Sequence, residues 1–270
     1  MDNRIWHPVK LPSNGQYYAG RCVEGKVEIT PWTTAQEEMF VRYGGAKASE
    51  LIDKLIINNV RLPNGMKPDE LLITDRFFLL FQLRGISLVT QYTFTHTCPK
   101  CQTEHPISLD INNLKVKVPD GEESEPFDVK LPRCGKKVSL RLFRASDEKA
   151  MLEYESKTIQ RGVDSGSPAY RFKLARQMEK IDGVTAKFDE KMSFISNLVW
   201  IDLQLMRKAI EKYETGLILD IEIECPKSGC SHAHKGEVPI QETFFRPLES
   251  DFESAVGMAE EPGTGNTVSG

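Results

Sequence analysis

Apolar positions recur at helical spacing along much of the chain. Over Ala46–Asn59, Leu51, Leu55 and Ile56 fall on one face, with Ile52 widening the stripe. A helix starting at Thr74 or Asp75 and running through Arg84 is apolar almost all round at Phe77, Phe78, Leu80 and Phe81, which predicts a central place in the core. Ser146 caps a predicted helix over Asp147–Gln160. Further helices are predicted over Ala169–Ile181, Phe188–Asn197 and Trp200–Tyr213, after a break at Gly162–Pro168. A short helix is predicted from Ala35, capped by Thr33 or Thr34, with Glu37 and Glu38 in its first turn and Gly44-Gly45 at its end. Period-two alternation is clearest at Leu217, Leu219, Ile221 and Ile223. Strand-like runs also cover Lys26–Thr30, Leu88–Thr95, Phe127–Leu131 and Lys137–Phe143.

Two of these extended runs lead into cysteine pairs. Thr97-Cys98-Pro99-Lys100-Cys101 follows the first, and Glu224-Cys225-Pro226-Lys227-Ser228-Gly229-Cys230 follows the second. In each, proline comes directly after the first cysteine and a short turn precedes the second. A tight turn that aims two thiolates at one point is a zinc knuckle, and two knuckles complete the closed four-thiolate shell of a structural site. Cys98, Cys101, Cys225 and Cys230 are therefore the candidate Zn²⁺ ligands. A redox pair would sit at the start of a helix, whereas both pairs follow strands. His96, His105, His232 and His234 lie close by. His232 and His234, directly after Cys230, are the candidates to replace a thiolate. Cys22 and Cys134 have no partner spacing and read as small buried hydrophobes. Cys101 and Cys225 are 124 positions apart, so such a site would clasp two distant parts of the chain.

The predicted fold class is α+β. It has an N-terminal helical region, a small antiparallel β region with two zinc-knuckle hairpins, and a helical insertion between them. The predicted divisions are an extended N-terminal arm over 1–33, rich in Pro and Gly, and a helical region over 34–85. A β region with the first knuckle covers 86–144, and the helical insertion covers 145–213. The second knuckle hairpin, over 214–245, joins the β region, and a flexible tail covers 246–270, where bulky apolar residues nearly vanish.

Composition narrows the functions. The 270 residues are 40% hydrophobic and 27% charged, which suits a globular protein. Thirty-five basic against thirty-nine acidic residues give a net charge of −4. Four thiolates around one Zn²⁺ would add two more negative charges. A basic footprint for nucleic acid or anionic lipid is missing. No apolar run reaches the roughly 20 residues of a membrane span. The first residues lack an apolar signal region, so a reducing cytosol is expected. Val163–Pro168 superficially resembles a serine-protease nucleophile segment but has no matching histidine base, and reads as a loop. The acidic loop with Asp120, Glu122, Glu123 and Glu125 lacks calcium-ligand spacing and reads as solvated surface. A four-thiolate zinc has no open position for water, so hydrolysis is not expected of it.

Three segments in order resemble the baseplate hub proteins of T-even-type phages. Leu11-Pro12-Ser13-Asn14-Gly15-Gln16-Tyr17-Tyr18 is similar to that family's opening. Ile29-Thr30-Pro31-Trp32-Thr33-Thr34-Ala35-Gln36-Glu37-Glu38 is similar to its short strand and acidic helix start. Leu72-Ile73-Thr74-Asp75-Arg76-Phe77-Phe78-Leu79-Leu80-Phe81-Gln82-Leu83-Arg84 resembles its apolar helix ending in arginine, and the Cys98/Cys101 knuckle follows as it does in related members. The resemblance covers about residues 8–115 and is architectural beyond. It implies a non-catalytic structural subunit of a contractile-tail baseplate, in the hub region, whose partners are other baseplate and hub proteins rather than a small molecule or a membrane. It also implies a place in the virion after assembly in the host cytoplasm. A baseplate assembly factor absent from the finished particle is one alternative. A cytosolic zinc-ribbon protein that binds nucleic acid is another, and it would need a continuous Lys/Arg face. An enzyme with a site assembled from scattered residues is a third.

Overall fold

The apolar run after Leu71 folds as the helix Ile73–Ser87, continuing past Arg84 where the sequence suggested a stop. Leu79, Leu80, Phe81 and Leu83 are all buried, which accounts for its lack of a wide polar face. This computed structural model describes residues 4–36, 48–122, 124–160, 168–240, 242–245 and 249. Among them the other helices are Ala48–Asn59, Ala145–Gln160, Pro168–Gln177, Phe188–Ser196 and Trp200–Tyr213. They alternate with short antiparallel sheets, so the fold is α+β as predicted. The helix predicted from Ala35 lies outside the described residues beyond Gln36. The break predicted at Gly162–Pro168 lies outside them except for Pro168, which starts a helix, and so does nearly all of the 246–270 tail.

The chain divides into two compact units, Met1–Leu80 with Val116–Leu217 and Phe81–Lys115 with Ile218–Gly270. The stretch 86–144, predicted as one β region, is thus shared between the two.

In the first unit, His7–Lys10, Lys26–Ile29 and Val60–Arg61 form a three-stranded antiparallel sheet. The segment predicted as an extended arm is built into the fold, and the loop between its two strands buries Leu11, Ser13, Tyr17, Tyr18 and Cys22. The reason is a fully buried carboxylate. Asp75 accepts hydrogen bonds from the Ser13 amide (3.1 Å), the Ser13 hydroxyl (2.5 Å) and the Tyr18 hydroxyl (2.7 Å). The Tyr18 oxygen in turn accepts from the Leu72 amide at 2.9 Å. Burial pushes the Asp75 carboxyl up and the Tyr18 phenol well up. The loop closes tightly at Gly15, whose φ is +77° and where a Cβ would lie 1.7 Å from the Cys22 carbonyl oxygen.

A four-stranded sheet in the same unit runs in the order Val184–Thr185, Met178–Ile181, Lys137–Leu140, Phe127–Lys130. This corrects the helix predicted over Ala169–Ile181: helix ends at Gln177, and Met178–Ile181 pairs with Lys137–Leu140. Asp182 and Gly183 both have positive φ, 49° and 80°, and make the two-residue turn into Val184–Thr185. The turn between Phe127–Lys130 and Lys137–Leu140 corrects a second expectation. Cys134 sits exposed at its tip rather than buried, because the connection over 131–136 projects outward, and its amide donates to Asp202 at 2.9 Å.

Ion pairs hold other parts of this unit. Asp147, wholly inaccessible, accepts two bonds from Arg141 (2.6 and 2.9 Å) and one from Arg176 Nε (2.8 Å). Arg144 joins the Glu125 carboxylate (2.6 Å) to the Glu70 and Tyr17 carbonyls (both 3.0 Å).

In the second unit the arginine that ends the apolar motif is also fully buried. Arg84 donates to the carbonyls of Phe244 (2.9 Å), Gln91 (2.8 Å) and Val89. Its guanidinium lies over the Tyr92 and Phe244 rings at 5.2 and 5.4 Å. Phe81, Tyr92 and Phe244 pack edge to face around it. Tyr92 then donates to the Pro239 carbonyl at 2.8 Å.

Candidate metal centre

Two antiparallel hairpins carry the four cysteines. Gln91–Thr97 pairs with Glu104–Asp110, and Asp220–Glu224 pairs with Ala233–Glu237. In the alternating run predicted as one strand over 217–224, Leu217 belongs instead to the short strand Gly216–Leu217, paired with Val116–Lys117.

The two turns solve the same geometric problem in the same way. The first cysteine of each closes the end of its hairpin by an amide bond, Cys98 to the Thr103 carbonyl (3.0 Å) and Cys225 to the His232 carbonyl (3.1 Å). The residue after each second cysteine is left-handed, Gln102 at φ 57° and Ser231 at φ 38°. Such a reversal directly after the second sulfur returns the chain to the strand while both sulfurs point to one side. Gly229, φ 79°, absorbs the longer spacing of the second turn. None of these backbone features was read from the sequence. Cys-Pro spacing signalled the turns, but Gln and Ser carry no strong left-handed preference.

The structure brings all four predicted ligands together. Every pair among the sulfurs of Cys98, Cys101, Cys225 and Cys230 lies within 4.8 Å. The contacts between hairpins are Cys98–Cys230 at 3.9 Å and Cys101–Cys225 at 3.7 Å. A tetrahedral Zn²⁺ with Zn–S bonds of about 2.3 Å separates its sulfurs by about 3.8 Å, so spacing and donor chemistry both fit. Cys98 and Cys225 are buried, and Cys101 and Cys230 are partly so.

Hydrogen bonds with Thr103 lower the Cys101 thiol to about 6, the side-chain hydroxyl contributing most. Cys225 receives a backbone bond at Lys227 that lowers it, but burial and the neighbouring thiols outweigh this and push it up to about 12. One sulfur of the group thus ionises with ease and a second resists, as expected of thiols crowded around one point. Thr103 is a supporting residue that sequence spacing did not mark.

The four histidines fall outside this sulfur cluster. They form a row in the order His105, His96, His234, His232, the first two from the first hairpin and the last two from the second, with neighbouring ring centroids 5.5, 5.0 and 5.2 Å apart. At its middle His96 Nε2 and His234 Nε2 share a hydrogen bond at 2.8 Å. Burial, with His234 and His105 nearby, holds His96 below the usual histidine value. The group of ligand atoms that converges among the described residues holds the four cysteines and neither His232 nor His234.

Among the described residues no helix is long and apolar enough to cross a membrane. The comparison with protein families is specific. The model of the family described as T4 bacteriophage base plate protein matches residues 5–246, a span that includes both knuckles, and the chain belongs to this family. No curated protein and no solved structure matches it.

Proposed function

We propose that the chain is a non-catalytic structural subunit of a contractile-tail baseplate, placed in the hub region, whose four cysteines hold one structural Zn²⁺. The observation that carries the reading is the family match over residues 5–246. The sulfur spacing supports the metal. Filled by four thiolates, the shell has no open coordination position, so the ion's contribution is to folding, tying one hairpin to the other. Its neighbours would be other baseplate proteins, and its location the virion tail.

Mass spectrometry of purified tails tests the placement. Finding the chain in stoichiometric amount supports a building block, whereas its absence from tails of a phage that expresses it assigns it to assembly instead. For the metal, elemental analysis of the purified protein is expected to give about one zinc per chain. Cys225→Ser is expected to lower the melting temperature. A metal-free protein that is stably folded would overturn the clasp.

A further inference from the structure

The histidine row beside the four sulfurs has an ordered place in the two hairpins. His96 stands two residues before Cys98 and faces His105 across the first hairpin. His234 faces Ile223 across the second, and Ile223 stands two residues before Cys225. The rung just behind the knuckle is therefore His96–His105 in one hairpin and Ile223–His234 in the other. These two rungs meet. His96 Nε2 and His234 Nε2 lie 2.8 Å apart, with the ring planes 28° from parallel. His96 reaches well across, since its Cε1 would lie 3.7 Å from a Cβ placed on Gly236, a residue of the strand Ala233–Glu237.

The bond has a direction. His234 turns Nδ1 to the His232 carbonyl at 3.4 Å. That contact places the His234 proton on Nδ1, so its Nε2 accepts and His96 Nε2 donates. Both rings are half-buried, and neither belongs to the converging group of sulfurs. At the other end of the first hairpin Tyr92 donates to the Pro239 carbonyl (2.8 Å), just past the second hairpin. The two hairpins are thus tied at two levels by side chains that are not metal ligands.

Thiolates on two separate hairpins can share an ion only while the hairpins face each other. The apparent affinity for the ion is then the intrinsic affinity scaled by the fraction of chains in which they do. A tie two residues behind the sulfurs raises that fraction where it counts. On the reading of the four cysteines as a Zn²⁺ site, we infer that His96 and His234 are a positioning pair for the clasp. Their bond holds one knuckle toward the other, so that the arriving ion meets sulfurs already gathered. A pair acting in this way speeds capture of the ion. It leaves release unchanged, because the bound ion itself keeps the hairpins together.

Titration of the zinc-loaded, full-length protein with a chromophoric chelator is the test, the end point giving affinity and the time course giving release. His96→Leu and His234→Leu are each expected to weaken affinity about fivefold, the worth of one ordinary hydrogen bond, with release unchanged. His96→Gln, whose side-chain amide can still donate to His234, is expected to recover most of the loss. Both leucine substitutions together are expected to cost no more than either alone, because the same bond is removed each time. His7→Leu, in the first unit, serves as the control and is expected to match wild type. In wild type itself, which needs no variant to fold, a scalar coupling between the two Nε2 nuclei is expected across the bond. A missing coupling would overturn the pairing, as would a loss that lies in release, additive losses in the double variant, or a glutamine variant as weak as the leucine one. Zinc affinity that the leucine variants leave unchanged would overturn the pairing alone. A wild-type protein that takes up no zinc would overturn the clasp itself, and the role of the pair with it.

Discussion

Arg84 offers the sharpest test of how the second unit is held together. Its guanidinium is buried and donates to three main-chain carbonyls, at Val89, Gln91 and Phe244. Two belong to the start of the first knuckle hairpin, and the third lies 160 positions away in sequence. Arg84→Met keeps much of the side-chain volume and removes every one of these donors. Hydrogen bonds to a charged group are worth about 1.5 to 3 kcal/mol each, and carbonyls left buried without a donor carry a desolvation cost. Allowing for non-additivity, the loss is about 4 kcal/mol. Arg84→Lys keeps the charge but can reach fewer acceptors from a single ammonium, and about half that loss is expected. Amide hydrogen exchange read by mass spectrometry over Gln91–Thr97 and Glu104–Asp110 reports the opening of this region directly. A loss of 4 kcal/mol corresponds to exchange about a thousandfold faster where opening limits it. Protection in Arg84→Met within a factor of about five of wild type would refute the assignment, since packing of Phe81, Tyr92 and Phe244 would then suffice alone.

Asp147→Asn is expected to cost about 3 kcal/mol by urea unfolding near neutral pH, the low end for breaking a buried pair because Arg176 is 36% exposed and well solvated. Although burial opposes it, hydrogen bonding and charge from Arg141 hold the Asp147 carboxyl below its unfolded value near about 3.9. The wild-type advantage is therefore full above about pH 5, and disappears as pH falls through the folded value. A gap between the two proteins that persisted below that value would contradict the charge argument. Gly15→Ala is expected to destabilise by about 3 kcal/mol, since its Cβ would meet the Cys22 carbonyl at 1.7 Å on a backbone of φ +77°. A melting temperature equal to wild type would show that the loop can shift.

What could be read in advance follows from the range of the interactions. Helix periodicity is local, and Ala145–Gln160 and Trp200–Tyr213 lie within two residues of expectation. The segment 11–22 looked like an arm because its Pro and Gly residues resist helix and strand. It is ordered instead by Ser13 and Tyr18 bonding to Asp75, 62 and 57 positions away, a pairing that no local pattern shows. The strand Met178–Ile181 is different, for its signal was present. Asp182-Gly183 between two short extended runs is a two-residue hairpin turn, and the helical stripe that ends at Gln177 masked it. Cys134 misled through residue type, since cysteine favours burial on average while a turn tip does not supply it. Spacing announced the four cysteines at the candidate centre, but not the left-handed residues that aim them, nor Thr103.

Cys101 and Cys225 lie 124 positions apart in sequence. Closing so long a flexible loop has an entropic cost that grows with loop length, though slowly. The described residues of the intervening chain are folded, however. Residues 116–217 belong to the first unit, where Val116–Lys117, at the start of that passage, pairs antiparallel with Gly216–Leu217 at its end. On the second unit's side of the same junction the Ile218 amide donates to the Lys115 carbonyl at 2.8 Å. Entry and exit are therefore adjacent, and the folded insertion has closed most of the loop before the sulfurs meet. The effective connection between the hairpins shrinks to the few residues from Asp110 to Lys115 and from Ile218 to Asp220. On this account the second knuckle depends on the fold of the insertion as much as on any ion. Shortening the insertion is tolerable where its two end strands still pair, and disruptive where they do not, whatever the length removed.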